Sequence, residues 1–410
     1  MRNPEERLRR APLAESEDEQ VHSNGVGLDR PVRSPLDDDS GSVLPSRPKR
    51  ADRPGGRGVN LRDVAEAASV SVATVSMVLN NNPRISRATH ARVQRVMEKL
   101  GYQPNRLAQS LSSKYTNCLA VLLPDVRHAF ADAYFGELLS GISDRASKLG
   151  YKIMLEHAKP DFIDSRKHLE IFDRRFVDGV LCLGTNDNNE FLADFDPDSY
   201  PALIVDNAPE VEGAPRSYKL DHVMCDYESG ANQAMNYLIQ LGHRQIGLIM
   251  AAPEIATSRR VREVFKQKLA AVGVDAPDSW IVDGQFTEEG GAEACRVLLA
   301  AHKDMTALLA GNDKMAIGAM HLMNRMGIDV PKDVSVVGFD DLRHAAFVNP
   351  SLTTVHLPLY QVGALATDRL IERIHGRREP VAEQLNTHLV VRDSTAMART
   401  ATRGAFEDSD

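Results

Sequence analysis

The residues whose types and spacing suggest chemistry are concentrated between positions 59 and 115. Eight basic side chains (Arg62, Arg84, Arg87, Arg92, Arg95, Arg106, Lys99 and Lys114) stand there against three acidic ones (Asp63, Glu66 and Glu98), a net of +5. Residues 1–58 balance at zero, so the rest of the chain carries −13 of a whole that sums to −8. Positive charge gathered in one short segment is the electrostatic footprint of a module that binds nucleic acid, joined to a body that does not. Ser71, Thr74, Ser76 and Asn80 fall in the same segment. Short polar donors near a helix N-terminus suit phosphate oxygens, because the terminal backbone N–H groups point the same way.

Other chemistries leave little trace. The chain has no G-x-S-x-G, no phosphate-binding P-loop and no G-x-G-x-x-G after a strand, which speaks against an enzyme. Cys118, Cys182, Cys225 and Cys295 are far apart, and three of them lie in apolar, strand-like runs, as expected of free thiols. His157, His168, His243 and His302 are scattered; His243, between a helix and a strand, reads as structural. No metal or cofactor is expected. No apolar run approaches the roughly 18–20 residues that span a bilayer, and the first residues are charged and polar, so no membrane contact and a cytoplasmic location are expected.

The elements that must position the basic segment follow from periodicity. Residues 1–58, rich in Pro, Gly, Ser, Asp and Arg, are expected to be a disordered extension: a passive tail, the product of an over-long reading frame, or, through RPKRADRPGGR at 47–57, a source of nonspecific phosphate attraction. A headpiece spans 59–104. Asn60 is a good N-cap, and Leu61, Val64, Ala65 and Ala68 make one apolar face. Ser69 and Val70 form a tight turn, and Ser71 caps a second helix with Val75, Val78 and Leu79 inward. Ser86 caps a third, which turns Val93, Val96, Met97 and Leu100 inward and stops at Gly101. Two short helices joined this tightly predict a helix-turn-helix, whose second helix enters the major groove of DNA by its N-terminal end. Residues 105–116 predict a short hinge helix and linker, with Leu107, Ala108 and Leu111 on one face.

From Cys118 strands and helices alternate. CLAVLLP, KIMLEH, GVLCLG and PALIVD read as one set of buried strands, with a helix over Glu137–Leu149. A second set is expected to open with HVMCD and to continue through IGLIMA, ALLAG and VSVVGFDD, separated by helices at Glu228–Leu241, Val261–Ala271 and Lys314–Met326. The fold class is therefore α/β: a three-helix headpiece and hinge helix, then a two-lobed domain of parallel sheets over 117–395, with a disordered tail over 396–410. Ligands in such sheets sit outside the C-terminal strand ends, here between the lobes.

The strings DVAEAASVSVATVS, VLNNNPRIS, LGYQPNRLAQSL, VDGVL, LGHRQIGLI, ALLAGNDKMAIGAM, VPKDVSVVGFDD, PSLTTV and LVVRDST, in that order, resemble the LacI/GalR family of bacterial transcription regulators from about Asn60 to Thr395. The resemblance implies a periplasmic-binding-protein-like sensor, a homodimer, a pseudo-palindromic double-stranded operator, and a small-molecule effector of sugar type that controls operator affinity. It places Val72, Ala73 and Met77 against base edges, and adds Arg84 and Ser86 to the phosphate contacts at Ser71, Thr74, Ser76 and Asn80. It puts Asn105, Arg106, Ala108 and Leu111 in the minor groove, with Leu111 as an intercalating wedge or as packing between hinge helices. A helix this short needs DNA and its dimer mate to order it, which would make it the switch.

Effector contacts are implied at Asp206, Phe286, Asn312 and Asp340. The arginine that usually grips the ligand falls on Val261; after a small shift of the alignment Arg259, Arg260 or Arg262 could substitute, with Arg260 and Arg262 taken as the candidates. Leu357 replaces a polar residue, and the loop PDVRHAFADAYFGELL is longer than usual, bringing Arg127, His128, Asp132, Tyr134 and Phe135 to the cleft. Asp313 is expected to cap a helix and Asp341 to hold a turn. Val72, Ala73 and Met77 are poor hydrogen-bond donors, so readout there rests on thymine methyls and DNA shape, unless Val72 and Met77 only pack the helix. TAMARTATRGAFEDSD lacks the leucine heptad of tetrameric relatives, which predicts a dimer. A periplasmic sugar-binding protein, an activator and a regulator governed by a partner protein are the competing readings.

Overall fold

The computed structural model describes residues 59–79, 82–102, 115–126, 129–209, 220–251 and 253–399. The expectations for 1–58, Asn80, the hinge residues Asn105, Arg106, Ala108 and Leu111, the loop residues Arg127 and His128, and the tail beyond 399 lie outside these. The described residues form two compact units, 59–102 and 115–399.

The first unit is three helices, α1 (Leu61–Ala67), α2 (Val72–Leu79) and α3 (Arg87–Leu100). Each start has its cap. Asn60 Oδ1 accepts from the Arg62 and Asp63 amides while the Asp63 carboxylate accepts from the Asn60 amide at 2.8 Å. Ser71 Oγ accepts from Thr74 N at 3.1 Å, and Ser86 Oγ from Thr89 N at 3.2 Å. Ser69 takes the left-handed conformation that turns α1 into α2, and Gly101 takes it to end α3. Val64, Ala65, Ala68, Val75, Val78 and Val93 are the buried core, with Val96, Met97 and Leu100 only partly buried against it.

The second unit carries two six-stranded sheets. The first, in the order β11-β5-β4-β3-β1-β2, comprises β1 (Cys118–Leu123), β2 (Lys152–His157), β3 (Gly179–Leu183), β4 (Ala202–Val205), β5 (Asp221–Cys225) and β11 (Ala382–Leu385), all parallel. The second, in the order β12-β10-β9-β8-β6-β7, comprises β6 (Ile246–Met250), β7 (Ile281–Asp283), β8 (Ala307–Ala310), β9 (Ser335–Asp340), β10 (Thr353–His356) and β12 (His388–Val390). Only the β10–β12 pair is antiparallel.

Two expectations need correction. HVMCD does not open the second set: β5 pairs with β4 through Leu203↔Asp221 and with β11 through Ala382↔His222, so it belongs to the first sheet. A strand buried on both faces looks the same in either sheet, and only its distant partners assign it. The helix expected at Glu137 begins a turn earlier. It is α4 (Ala133–Lys148), capped by Asp132 Oδ1 on Tyr134 N at 2.9 Å.

The remaining helices are α5 (Pro160–Asp164), α6 (Lys167–Asp173), α7 (Tyr227–Gln240), α8 (Ala256–Ala271), α9 (Glu288–Ala301), α10 (Asp313–Arg325) and α11 (Leu359–Ile374). The chain crosses between the lobes after β5, after β10 and after β11. Helix α11 thereby returns to the first lobe and packs along α4. Glycines permit that approach: a Cβ at Gly141 would collide with the Tyr360 carbonyl, and one at Gly363 with the Leu138 carbonyl. His243 bonds Thr306 Oγ1 at 2.9 Å and the Ala396 carbonyl at 3.1 Å, the structural role expected of it. At the far edge of the second lobe Trp280, 8% exposed, packs T-shaped against the His302 ring, with centroids 4.6 Å apart.

Candidate functional site

The headpiece presents a chemically mixed helix end. Ser71, Val72 and Ala73 are exposed at the start of α2, Thr74, Ser76 and Met77 are half-buried beside them, and Val75 and Val78 face inward. Val72 is 41% exposed and, like Met77, stands outside the headpiece core. The Ser71 hydroxyl lies 2.9 Å from Thr74 Oγ1, so the capping pair is pre-set at the helix end. Arg84 and Ser86 are exposed in the following loop, where Arg84 N donates to Asn82 Oδ1 at 3.0 Å.

The interlobe floor is built from strand ends. Asp206 follows β4 at φ 73° and is fully buried. Its carboxylate accepts from the Cys225 amide at 2.9 Å, from the Tyr227 hydroxyl at 2.5 Å and from the Tyr134 hydroxyl. The loop before α4 thus reaches the site through Tyr134, and the carboxylate is held by this chain's own donors. Burial and the adjacent Asp206 push both tyrosine hydroxyls well up, so they stay protonated donors. Tyr227 was not among the effector contacts that the resemblance implied, although its place two residues beyond β5, at a C-terminal strand end, is a local sign of the cleft.

Asp340 ends β9 with its backbone at φ 104° and 6% exposed. Burial and then the neighbouring Asp313, Asp132 and Asp206 raise its carboxyl well above the usual range, against the opposing charge of Lys314. Asn312 caps α10 by accepting from Met315 N at 2.8 Å and turns its amide toward the Phe286 carbonyl at 3.4 Å. Phe286 is half-buried at φ 57°. The expected capping role of Asp313 is replaced by a tie. Asn312 caps the helix, while Asp313 accepts from Thr354 Oγ1 at 2.5 Å and Leu342 N at 2.8 Å, and burial brings its carboxyl to about 7. Asp341 holds the turn through His356 at 3.1 Å and Arg392.

The three arginines of α8 diverge. Arg259 pairs with Asp187 of the first lobe and donates to the Pro253 carbonyl at 2.6 Å. Arg260 turns toward Met224, with Nη1 3.8 Å from its sulfur. Arg262 donates to the Ala251 carbonyl at 2.7 Å, and its buried Nε has no acceptor among the described residues. Burial lowers its guanidinium, against the pull of Asp283, Asp278 and Glu254. Val261 and Leu357, which the resemblance sets where polar residues were expected, are buried in the core. Further links join the lobes: Lys314 to Asp132 at 2.5 Å, Thr257 to Asn207 at 2.6 Å, and Asp187 N to the Glu254 carbonyl at 3.1 Å.

Residues 60–105 match the family described as "Bacterial regulatory proteins, lacI family", and residues 235–395 match "Periplasmic binding protein-like domain". Catabolite control protein A of Priestia megaterium is 34% identical over 313 residues, 75% of this chain and 90% of that protein. The HTH-type transcriptional repressor PurR of Escherichia coli O139:H28 is 31% identical over 338 residues, covering 82% and 96%. Among solved structures, a lac repressor dimer bound to operator and an anti-inducer has a TM-score of 0.71 at 26% identity, covering 83% of this chain and 100% of that one. A transcriptional regulator CelR–cellobiose complex has a TM-score of 0.63 at 29% identity, covering 82% and 99%. No described helix is long and apolar enough to cross a membrane. A helix-turn-helix headpiece joined to a two-lobed sensor, at this identity and coverage, makes the chain a member of the LacI family of bacterial regulatory proteins.

Proposed function

We propose that the protein is a cytoplasmic, homodimeric transcription repressor, without catalytic activity, whose grip on a pseudo-palindromic operator is set by a small sugar-like effector between the lobes. The observation that carries this is the 34% identity that runs through headpiece and sensor together. Ser71, Thr74, Ser76, Asn80, Arg84 and Ser86 are assigned to phosphates, and Val72, Ala73 and Met77 to base edges, where methyl contact replaces hydrogen bonding. Asn105, Arg106, Ala108 and Leu111 are assigned to the minor groove. The effector assignment centres on Asp340, Asn312 and Phe286, with Asp206 holding the floor, Arg262 at its edge and Arg260 nearer the first lobe. The relatives named as repressors, and the solved regulator whose title names cellobiose, support the sign and the ligand class.

Selection of the purified full-length protein on random duplex DNA tests the reading. A pseudo-palindromic sequence with a deformable centre is expected. Recovery of no enriched sequence, with and without sugars, would overturn it.

A further inference from the structure

A cavity of about 640 Å³ opens in the first lobe, outside the C-terminal ends of β2 and β3. Space of this size holds a small ligand such as a mono- or disaccharide. Ile163, Asp164 and Arg166 form one wall, and Asn189, Phe191 and Asp194 the other. None of the described residues assigned to the effector lines it.

Asp194 is fixed from behind. The fully buried His168 bonds its Oδ2 through Nε2 at 2.9 Å, and Arg166 stands 3.6 Å from its Oδ1. Burial lowers the proton affinity of His168, so the imidazole orients Asp194 without cancelling its charge. The same imidazole packs T-shaped on Phe191, with centroids 5.8 Å apart, and Phe195 packs on Phe191 at 6.3 Å. Phe191, half-buried, is thereby held as a wall of the cavity. Asn189 Oδ1 accepts from Asn186 N at 2.9 Å, so the group it offers a ligand is its NH2. Carboxylates predominate in the lining, with Asp164, Glu190 and Asp194 against Arg166. Such a lining accepts from hydroxyl groups and repels anions. The ring of Phe191 suits the apolar C–H face of a pyranose.

The loop that carries the second wall also touches the second lobe. Asp187 pairs with Arg259 of α8, and its amide donates to the Glu254 carbonyl at 3.1 Å. Within the loop Asn188 N donates to Asn186 Oδ1 at 2.9 Å and Asn189 N to the Asn186 carbonyl at 3.1 Å, which makes residues 186–189 one bonded turn. We propose that the cavity is a second small-molecule site, for a neutral sugar, and that the 186–194 loop relays its occupancy to the interlobe contact at Arg259. The relay rests on the reading of the chain as an effector-controlled regulator, whereas the site itself does not. A ligand that binds only the loop arrangement holding Asp187 on α8 favours that interlobe contact.

The test is isothermal titration of the full-length protein with glucose, maltose, cellobiose, lactose and sucrose, beside glucose 6-phosphate and putrescine. At least one neutral sugar is expected to bind in a step that Phe191→Ala and Asp164→Ala each weaken about tenfold. Phe286→Ala, in the cleft, should leave that step within about threefold. Should Phe191→Ala fail to melt cooperatively, Asp164→Ala, exposed on α5, decides. The sugar should also shift the affinity for the selected operator by about threefold or more, and Asp187→Ala should abolish the shift while the sugar still binds. Equal or tighter binding of glucose 6-phosphate or putrescine overturns the proposal, as does sugar binding that ignores both cavity variants. Binding in the cavity with operator affinity unmoved, or a shift that survives Asp187→Ala, overturns the relay. A sugar lost only in Phe286→Ala, and active on operator affinity, leaves the cleft reading standing while the proposal falls. Silence from every sugar removes both.

Discussion

Asp313 and Tyr134 show how single groups tie the sensor together. Asp313 is buried with its carboxyl at about 7, far above its value in an unfolded chain. The folded state therefore binds the extra proton, and the stabilisation is present at acid pH and fades as pH rises toward 7. Thermal melts of the wild-type protein should accordingly lose ground to Asp313→Asn between about pH 4 and 7, by roughly 2–4 °C for each kcal/mol. Melting curves that remain parallel across that range would contradict this. Tyr134→Phe removes one of three donors from buried Asp206 and should cost about 1–3 kcal/mol in chemical denaturation. Legibility at this scale was uneven. Asp206, Asn312 and Asp340 were expected from the family resemblance; each stands at or just beyond the C-terminal end of a strand, and Asp206 and Asp340 do meet at the interlobe floor. That Asp206 would already be saturated by Tyr134 and Tyr227 could not be read from the sequence, since those contacts join residues 72 and 21 positions apart.

Helices and strands were more legible than their partners. Caps at Asn60, Ser71 and Ser86 are local events, written in three or four consecutive residues, and the headpiece boundaries follow from them. Strand β5 was placed in the wrong set because its assignment depends on β4 and on β11, the latter far along the chain. The contact between α4 and α11 has the same character, since Gly141 carries no local sign that it faces Tyr360. Gly141→Ala should destabilise the first lobe by about 1–3 kcal/mol through overpacking. Gly136→Ala, one turn away with open space around it, should be neutral or stabilising by up to about 1 kcal/mol. Paired urea titrations read the contrast, and equal effects would refute the close-contact account. If residues 105–116 are the hinge proposed for them, Leu111→Ala should weaken operator binding about tenfold or more in a gel-shift titration while sedimentation still reports a dimer. An unchanged operator affinity would remove the wedge.

Over the whole chain the charges are segregated, with +5 over 59–115 and −13 beyond. Operator affinity should fall steeply with added salt, because phosphate contacts release counterions. The balanced 1–58 segment contributes no net charge. Deleting it should therefore leave both sequence discrimination and the salt slope nearly unchanged in fluorescence anisotropy titrations, and a shallower slope would make it part of the DNA interface.

The chain contains a single tryptophan, and it lies in the second lobe against His302. Excited at the red edge of the indole band, where the nine tyrosines do not absorb, intrinsic emission therefore has one source, with no overlapping indole signal from the headpiece or the first lobe. A protonated imidazole quenches a neighbouring indole, and burial holds His302 below its ordinary proton affinity. At neutral pH the lamp is on, and its intensity is a label-free optical gauge of how tightly the outer edge of one lobe is packed.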